Sequence, residues 1–234
     1  MTLEIRDLVT GYQSEPVLRG ISFDVHPAQI LVMLGHNGAG KSSVVKTLAG
    51  LLPAWKGRVR LDGRDITGAP PWKRVRAGLA VSFQDNAVFP TMTVQKNLLL
   101  GAYVHTDQRR IADLLAQVLD TFPVLGRRCG QFAWTLSGGE RRMLSIGMAL
   151  MADPKVLLLD EPSTGLSPGR TAEVIETITM IRATFGKAVL LIEQNVQQAL
   201  RCADYVVVLK TGTLVYSGEP GRLSSDPTEL ISLF

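Results

Sequence analysis

Hydrophobic positions come in two rhythms along this chain. Dense apolar runs of four or five residues stand at Ile30–Leu34, Val156–Leu159, Ala188–Ile192 and Tyr205–Leu209. Runs of that length, apolar on both faces, predict strands buried in a parallel sheet. Leu3–Ile5 and Ile21–Val25 alternate apolar and polar instead, which predicts antiparallel strands. Arg58–Leu61 reads as a strand closing in a tight turn at Asp62-Gly63, and Leu79–Phe83 as a further strand. A helix is expected from about Lys41 to Leu51. From Pro90 to Ala152 the rhythm becomes helical: after Asp107, residues Ile111, Leu114, Leu115, Val118, Leu119 and Phe122 recur on one face. Beyond Pro154 strand and helix alternate again, with a helix over about Pro168–Thr184 and a last strand, Leu214–Tyr216, after a Thr211-Gly212 turn. Asp226-Pro227 with Glu229 predicts the start of a short terminal helix.

Strands alternating with helices imply an α/β core with a mostly parallel sheet. The reading is one domain over 1–234, with an N-terminal antiparallel β-subdomain and a helical subdomain inserted at about 90–152. No internal repeat or low-complexity segment interrupts it.

Composition narrows the class. Hydrophobic residues make up 46% and charged residues 20%, which suits a packed core and not a disordered chain. No apolar run approaches the roughly 18 residues that a membrane helix requires. The first residues lack the basic start and apolar stretch of a signal peptide. Cys129 and Cys202 are far apart and in no metal-ligand spacing, so packed thiols in a reducing compartment are expected. The net charge of +4 mildly favours anionic partners. The basic pairs Arg109-Arg110, Arg127-Arg128 and Arg141-Arg142 are dispersed and aromatic residues are only 6%, so they read as solvated faces, with no nucleic-acid partner.

Three motifs carry chemistry. Gly35-His36-Asn37-Gly38-Ala39-Gly40-Lys41-Ser42, followed by Ser43, fits G-x-x-x-x-G-K-[ST] between a strand and a helix. Glycines let backbone N–H groups converge on phosphate oxygens, and the helix N-terminus adds the positive end of its dipole. Lys41 can reach the β- and γ-phosphates of ATP, and the Ser42 hydroxyl can ligate Mg²⁺. Val156–Leu159 runs into Asp160 and Glu161. Asp160, at the C-terminal edge of the sheet, is suited to hold Mg²⁺, and Glu161 to polarise a water; alternatively the two acids cap the turn at Pro162. Leu136-Ser137-Gly138-Gly139-Glu140 opens a helix, and Ser137 with Glu140 forms a capping box. The box does not explain the two glycines, which weaken a first turn but expose N–H groups to an anion.

Together these motifs resemble the nucleotide-binding subunits of ABC transporters, over essentially the whole chain. The resemblance implies a P-loop NTPase core and two subunits that sandwich two ATP molecules head to tail, so that Ser137 and Gly139 meet the γ-phosphate held by a partner. Tyr12 matches the aromatic residue that stacks on adenine, unless it is a turn or core tyrosine. Gln84 matches the glutamine that senses Mg²⁺ and the attacking water and links to the membrane partner, unless it is a polar loop residue. The implied partners are transmembrane permease subunits, a second identical or non-identical ATPase and, indirectly, an extracytoplasmic solute-binding protein. The implied location is the cytoplasmic face of the cell membrane.

Met143–Gly147, Asp160–Pro168 and Ile192-Glu193-Gln194-Asn195 look like the ATPases of branched-chain amino acid importers. Urea and amide importers share much of this pattern. Two positions depart from most of the family. Ser167 replaces the aspartate that closes the loop after the metal-site strand. Gln194 replaces a histidine that contacts the γ-phosphate, and His26, His36 and His105 all precede that strand. Gln194 is therefore expected to donate its amide to the phosphate without moving a proton. Glu193, just before it, is the weaker candidate base. A degenerate ATP-binding subunit and a non-transport protein of DNA repair or translation are the other classes; the latter usually carry coiled coils or paired nucleotide domains, which this sequence lacks.

Overall fold

The computed structural model describes residues 3–85 and 88–225. Two sheets organise it. The chain starts with β1 (Leu3–Tyr12) and β2 (Glu15–Val25), then β3 (Ile30–Leu34), α1 (Lys41–Ala49), β4 (Lys56–Leu61) and β5 (Arg64–Asp65). β1, β2, β4 and β5 form an antiparallel sheet ordered β2-β1-β4-β5. Then come α2 (Pro71–Ala77) and β6 (Leu79–Ser82). A helical block follows: α3 (Val94–Gly101), α4 (Gln108–Thr121), α5 (Pro123–Arg127) and α6 (Gly138–Leu150), with a 3₁₀ turn at Ala133–Thr135. β7 (Val156–Asp160), α7 (Pro168–Phe185), β8 (Ala188–Glu193), α8 (Val196–Leu200), β9 (Tyr205–Lys210), β10 (Thr213–Gly218) and α9 (Pro220–Ser225) complete the described chain.

The second sheet is ordered β10-β9-β3-β8-β7-β6 and is parallel except for the β9–β10 pair. Alternate residues of its strands feed two cores, because successive side chains point to opposite faces. Ile30, Val32 and Leu34 pack with α6 and α7, whereas Leu31 and Met33 pack with β1, β2 and α1. Register pairs Leu34 with Glu193, Ile192 with Asp160, and Leu159 with Ser82. The C-terminal ends of β3, β8, β7 and β6 therefore share one edge, where ligands bind in open α/β sheets.

The apolar runs all form the expected strands, and the block between β6 and β7 is helical as expected. On α4, Leu114 and Val118 are buried and Asp107 caps the first turn. α1 ends at Ala49, two residues early, because Gly50 adopts a left-handed cap. α2 and α8 were not anticipated. The terminal helix expected from Asp226 lies outside the described residues.

Two arginines are buried, one of them, Arg142, from a pair expected on a solvated face. Arg74 on α2 is 3% exposed and donates to the carbonyls of Thr47 and Leu48 at the end of α1, and to Thr67 and Ala69. It thus adds donors to the last carbonyls of α1, where Thr47 O also accepts from the Gly50 N–H, and complements the negative end of that helix dipole. Arg142 on α6 is equally buried.

Candidate active site

The loop between β3 and α1 is built by backbone demands. Gly40, the N-cap of α1, has φ of 108°, a region costly for any residue with a Cβ. A Cβ at Gly35 would lie 2.4 Å from the carbonyl oxygen of Leu209. Lys41 is 4% exposed, and its Nζ donates to the carbonyls of Gly35 at 2.7 Å and His36 at 3.1 Å. The lysine is thereby folded back over its own loop. Lys41, Ser42, Ser43, Asn37, Gly38 and Glu161 line one cavity of about 200 Å³.

β7 delivers the two carboxylates. Asp160 is 5% exposed, and its Oδ1 has no hydrogen-bond partner among the described residues. Burial, and then the neighbouring Glu161 charge, push its carboxyl up to about 6, against the opposing pull of Lys41. An orphaned, buried carboxylate oxygen beside a serine-bearing phosphate loop is a donor set that fits Mg²⁺.

Glu161 turns sharply out of the strand, with φ of 47°, and its N–H donates to Ile192 O at 2.9 Å. Left-handed backbone at a non-glycine residue stores strain of the kind found at functional sites. Its Oε2 accepts from three donors: Gln194 Nε2 at 2.6 Å, Gln84 Nε2 at 3.2 Å and Thr164 Oγ1 at 3.2 Å. Its Oε1 lies 3.5 Å from Lys41 Nζ. Gln84, from the turn after β6, and Gln194, from the end of β8, thus meet on one carboxylate oxygen. Gln194, expected to donate to a γ-phosphate, here donates to Glu161.

Glu193 is turned to a different task. It is 1% exposed and accepts from Ser163 N and Ser163 Oγ, both at 2.9 Å, and from Gln194 N at 3.3 Å. Burial pushes its carboxyl up, and those hydrogen bonds oppose the shift. It clasps the loop after Glu161 to the end of β8 and does not line the phosphate-loop cavity.

Leu136 is buried, and Ser137 stands exposed at the N-cap of α6 with Gly138 and Gly139 in the first turn. The capping box is complete: Ser137 N–H donates to Glu140 Oε2 at 2.8 Å, and Glu140 N–H to Ser137 Oγ at 3.3 Å. Arg128 pairs with the other oxygen of Glu140 at 3.0 Å. None of these residues lines the phosphate-loop cavity. Tyr12 ends β1, 46% exposed, with Lys46 Nζ 6.0 Å from its ring centre. Ser167 is the N-cap of α7 and makes no side-chain capping bond.

Sequence reasoning missed Thr164, Ser163 and Arg142 as parts of this site. Arg142 was detectable, because it falls three residues after Gly139 and four before Ile146 on the buried face of α6. Its neighbour Arg141 disguised the pair as a solvated basic patch.

A family model described as ABC transporter matches residues 18–164. The chain is 39% identical over 218 residues to the high-affinity branched-chain amino acid transport ATP-binding protein BraG of Pseudomonas aeruginosa, covering 93% of each. It is 37% identical over 216 residues to the probable branched-chain amino acid transport ATP-binding protein LivF of Archaeoglobus fulgidus, covering 92% of this chain and 91% of that one. Among solved structures, the ADP conformation of MJ1267, an ATP-binding cassette of an ABC transporter, aligns with a TM-score of 0.87 at 26% identity, covering 100% of this chain and 98% of that one.

Proposed function

This chain belongs to the ABC transporter family of ATP-hydrolysing subunits, and from that premise we propose that it powers uptake of a small polar solute, with branched-chain amino acids as the substrate class. The observation that carries the chemistry is the convergence on Glu161 of Gln84, Gln194 and Lys41 beside the phosphate loop. The names of the relatives support the solute class.

In this reading the N–H groups of Gly38, Ala39, Gly40 and Lys41 bind the phosphates of ATP, and Tyr12 offers its exposed face to the base. Lys41 exchanges its carbonyl partners for phosphate oxygens. Mg²⁺ would be held by Ser42 and Asp160, with Gln84 close by, and would neutralise charge on the phosphates. Glu161 accepts a proton from, or orients, the attacking water, while Gln84 and Gln194 fix the direction of its carboxylate.

Leu136–Glu140 would face the ATP of a second ATPase subunit. The position of the signature residues off the phosphate-loop cavity supports this. Among the described residues no helix is long and apolar enough to cross a membrane, so contact with the membrane would come from separate permease chains. A groove of about 410 Å³ lined by Phe83, Phe89, Leu100, Tyr103 and Met148, between β6, α3 and α6, offers them an apolar seat on the helical insert. The location follows as the cytoplasmic face, with a solute-binding protein acting from the other side.

The test is Glu161→Gln. Purified variant should bind ATP as the parent does but turn over about a hundredfold or more slower, since base assistance is typically worth 10²–10⁴. Cells carrying it should lose labelled leucine uptake while keeping urea uptake. Turnover at the parental rate would remove Glu161 from its role; unchanged leucine uptake with lost turnover would remove the solute assignment.

A further inference from the structure

We propose that Arg142 is a positioning residue for hydrolysis, tying the signature helix α6 to the Gln84 turn so that the Gln84 amide meets Glu161. The proposal rests on the reading of Gln84 and Glu161 given above.

Arg142 lies on the second turn of α6, 3% exposed. Its Nη1 donates to Phe83 O at 2.9 Å and its Nη2 to Gln84 O at 2.8 Å. The planar fork thus holds two successive carbonyls of one turn, a geometry that a lysine ammonium cannot reproduce. Three residues further along the same face, Ser145 Oγ lies 2.9 Å from Ser82 Oγ. α6 is therefore fastened to the end of β6 at two points. The backbone of Gln84 belongs to Arg142, and its side chain belongs to Glu161.

A helix fastened this way only for stability would not need a cation. Burying a guanidinium is unfavourable unless hydrogen bonds and nearby charge compensate it; Nη1 and Nη2 are paired, whereas Nε has no partner among the described residues. Burial lowers the Arg142 pKa, and the carboxylates of Glu193, Asp160, Asp85 and Glu161 act in the opposite direction. Its charge thus lies in the field of four carboxylates, of which Asp160 and Glu161 belong to the reaction centre. Two hydrogen-bonded steps join the helix that begins at Ser137 to the oxygen of Glu161: Arg142 to the Gln84 carbonyl, and the Gln84 amide to the carboxylate. A shift of α6 is then imposed on the direction of Glu161.

A double-mutant cycle on the full chain tests this, with steady-state phosphate release at varied Mg-ATP and ATP affinity by equilibrium binding. Gln84→Ala cuts the side-chain step while leaving the carbonyl that Arg142 holds. Arg142→Met should lower kcat roughly tenfold, the scale of one hydrogen bond to a charged group, with ATP affinity and KM within about twofold of the parent. In the Gln84→Ala background the same substitution should change kcat by less than about twofold. Arg142→Lys should recover part of the loss; if Arg142→Met does not fold, it replaces Arg142→Met in the cycle under the same criterion. Losses that multiply in the double variant, or parental kcat in Arg142→Met, overturn the proposal. Parental turnover in Gln84→Ala alone would instead overturn the reading of Gln84, and this inference with it.

Discussion

Removing the Gln194 amide separates two accounts of what that residue does. The Oε2 of Glu161 accepts from Gln194 at 2.6 Å and from Gln84 and Thr164 at 3.2 Å each. Shorter charge-assisted bonds are the stronger ones, so Gln194 carries the largest share of the orientation. A hydrogen bond to a charged group is worth about 1.5–3 kcal/mol, and its loss in Gln194→Ala corresponds to about a ten- to hundredfold drop in turnover. The other two donors and the strained backbone of Glu161 stay in place, which keeps the effect below that of losing the carboxylate itself.

The size of that drop does not reveal the route, but a cycle with Glu161→Gln does. If Gln194 works by aiming Glu161, Gln194→Ala should cost less than about threefold once the carboxylate is gone. If it works by donating to the γ-phosphate, the full factor should persist in that background, because the two contacts are then independent. Phosphate release measured at saturating Mg-ATP on all four proteins gives the answer. Gln194→His keeps an N–H donor and should retain activity; its pH profile belongs in a His36→Asn background, since His36 sits in the phosphate loop. Parental turnover in Gln194→Ala would refute both routes and leave the residue a polar strand end.

Asp160 and Ser137 give two further expectations. Because the folded state raises the Asp160 pKa from 3.8 to about 6, the folded chain holds a proton that the unfolded chain has lost between those values, so stability falls as pH rises through that window. The full effect is on the order of 3 kcal/mol, of which about 2 kcal/mol falls between pH 4.5 and 7.5; urea denaturation at those two pH values should show it in the metal-free parent and not in Asp160→Asn, and equal pH dependence in both would refute it. Ser137→Arg replaces an exposed N-cap, so it should cost about 1 kcal/mol of stability and leave single-chain ATP binding intact while abolishing hydrolysis. An ATP-hydrolysing monomer in analytical ultracentrifugation would end the two-subunit reading.

What the sequence made legible, and what it hid, divides along the distance over which each feature is decided. β3, β7, β8 and β9 were visible because four or five consecutive apolar residues have few other uses in a chain with helices between them. The phosphate loop and the capping box were visible because each is closed by residues a few positions apart. α2 and α8 are seven and five residues long, too short to establish a period, and α2 is tied to the end of α1 through Arg74, a contact remote in sequence. The partners of Glu161 come from the ends of β6 and β8, and no local pattern states that their amides meet on one oxygen. The buried arginines fail for a related reason. Composition treats arginine as a surface residue, yet Arg74 and Arg142 are buried where they donate to carbonyls at a helix end or just past a strand end. A lone cation on the apolar face of a helix is thus a question about remote acceptors. At Arg142 the acceptors belong to the turn that carries Gln84, which is why the fastening of α6 and the aim of Glu161 are expected to fail together.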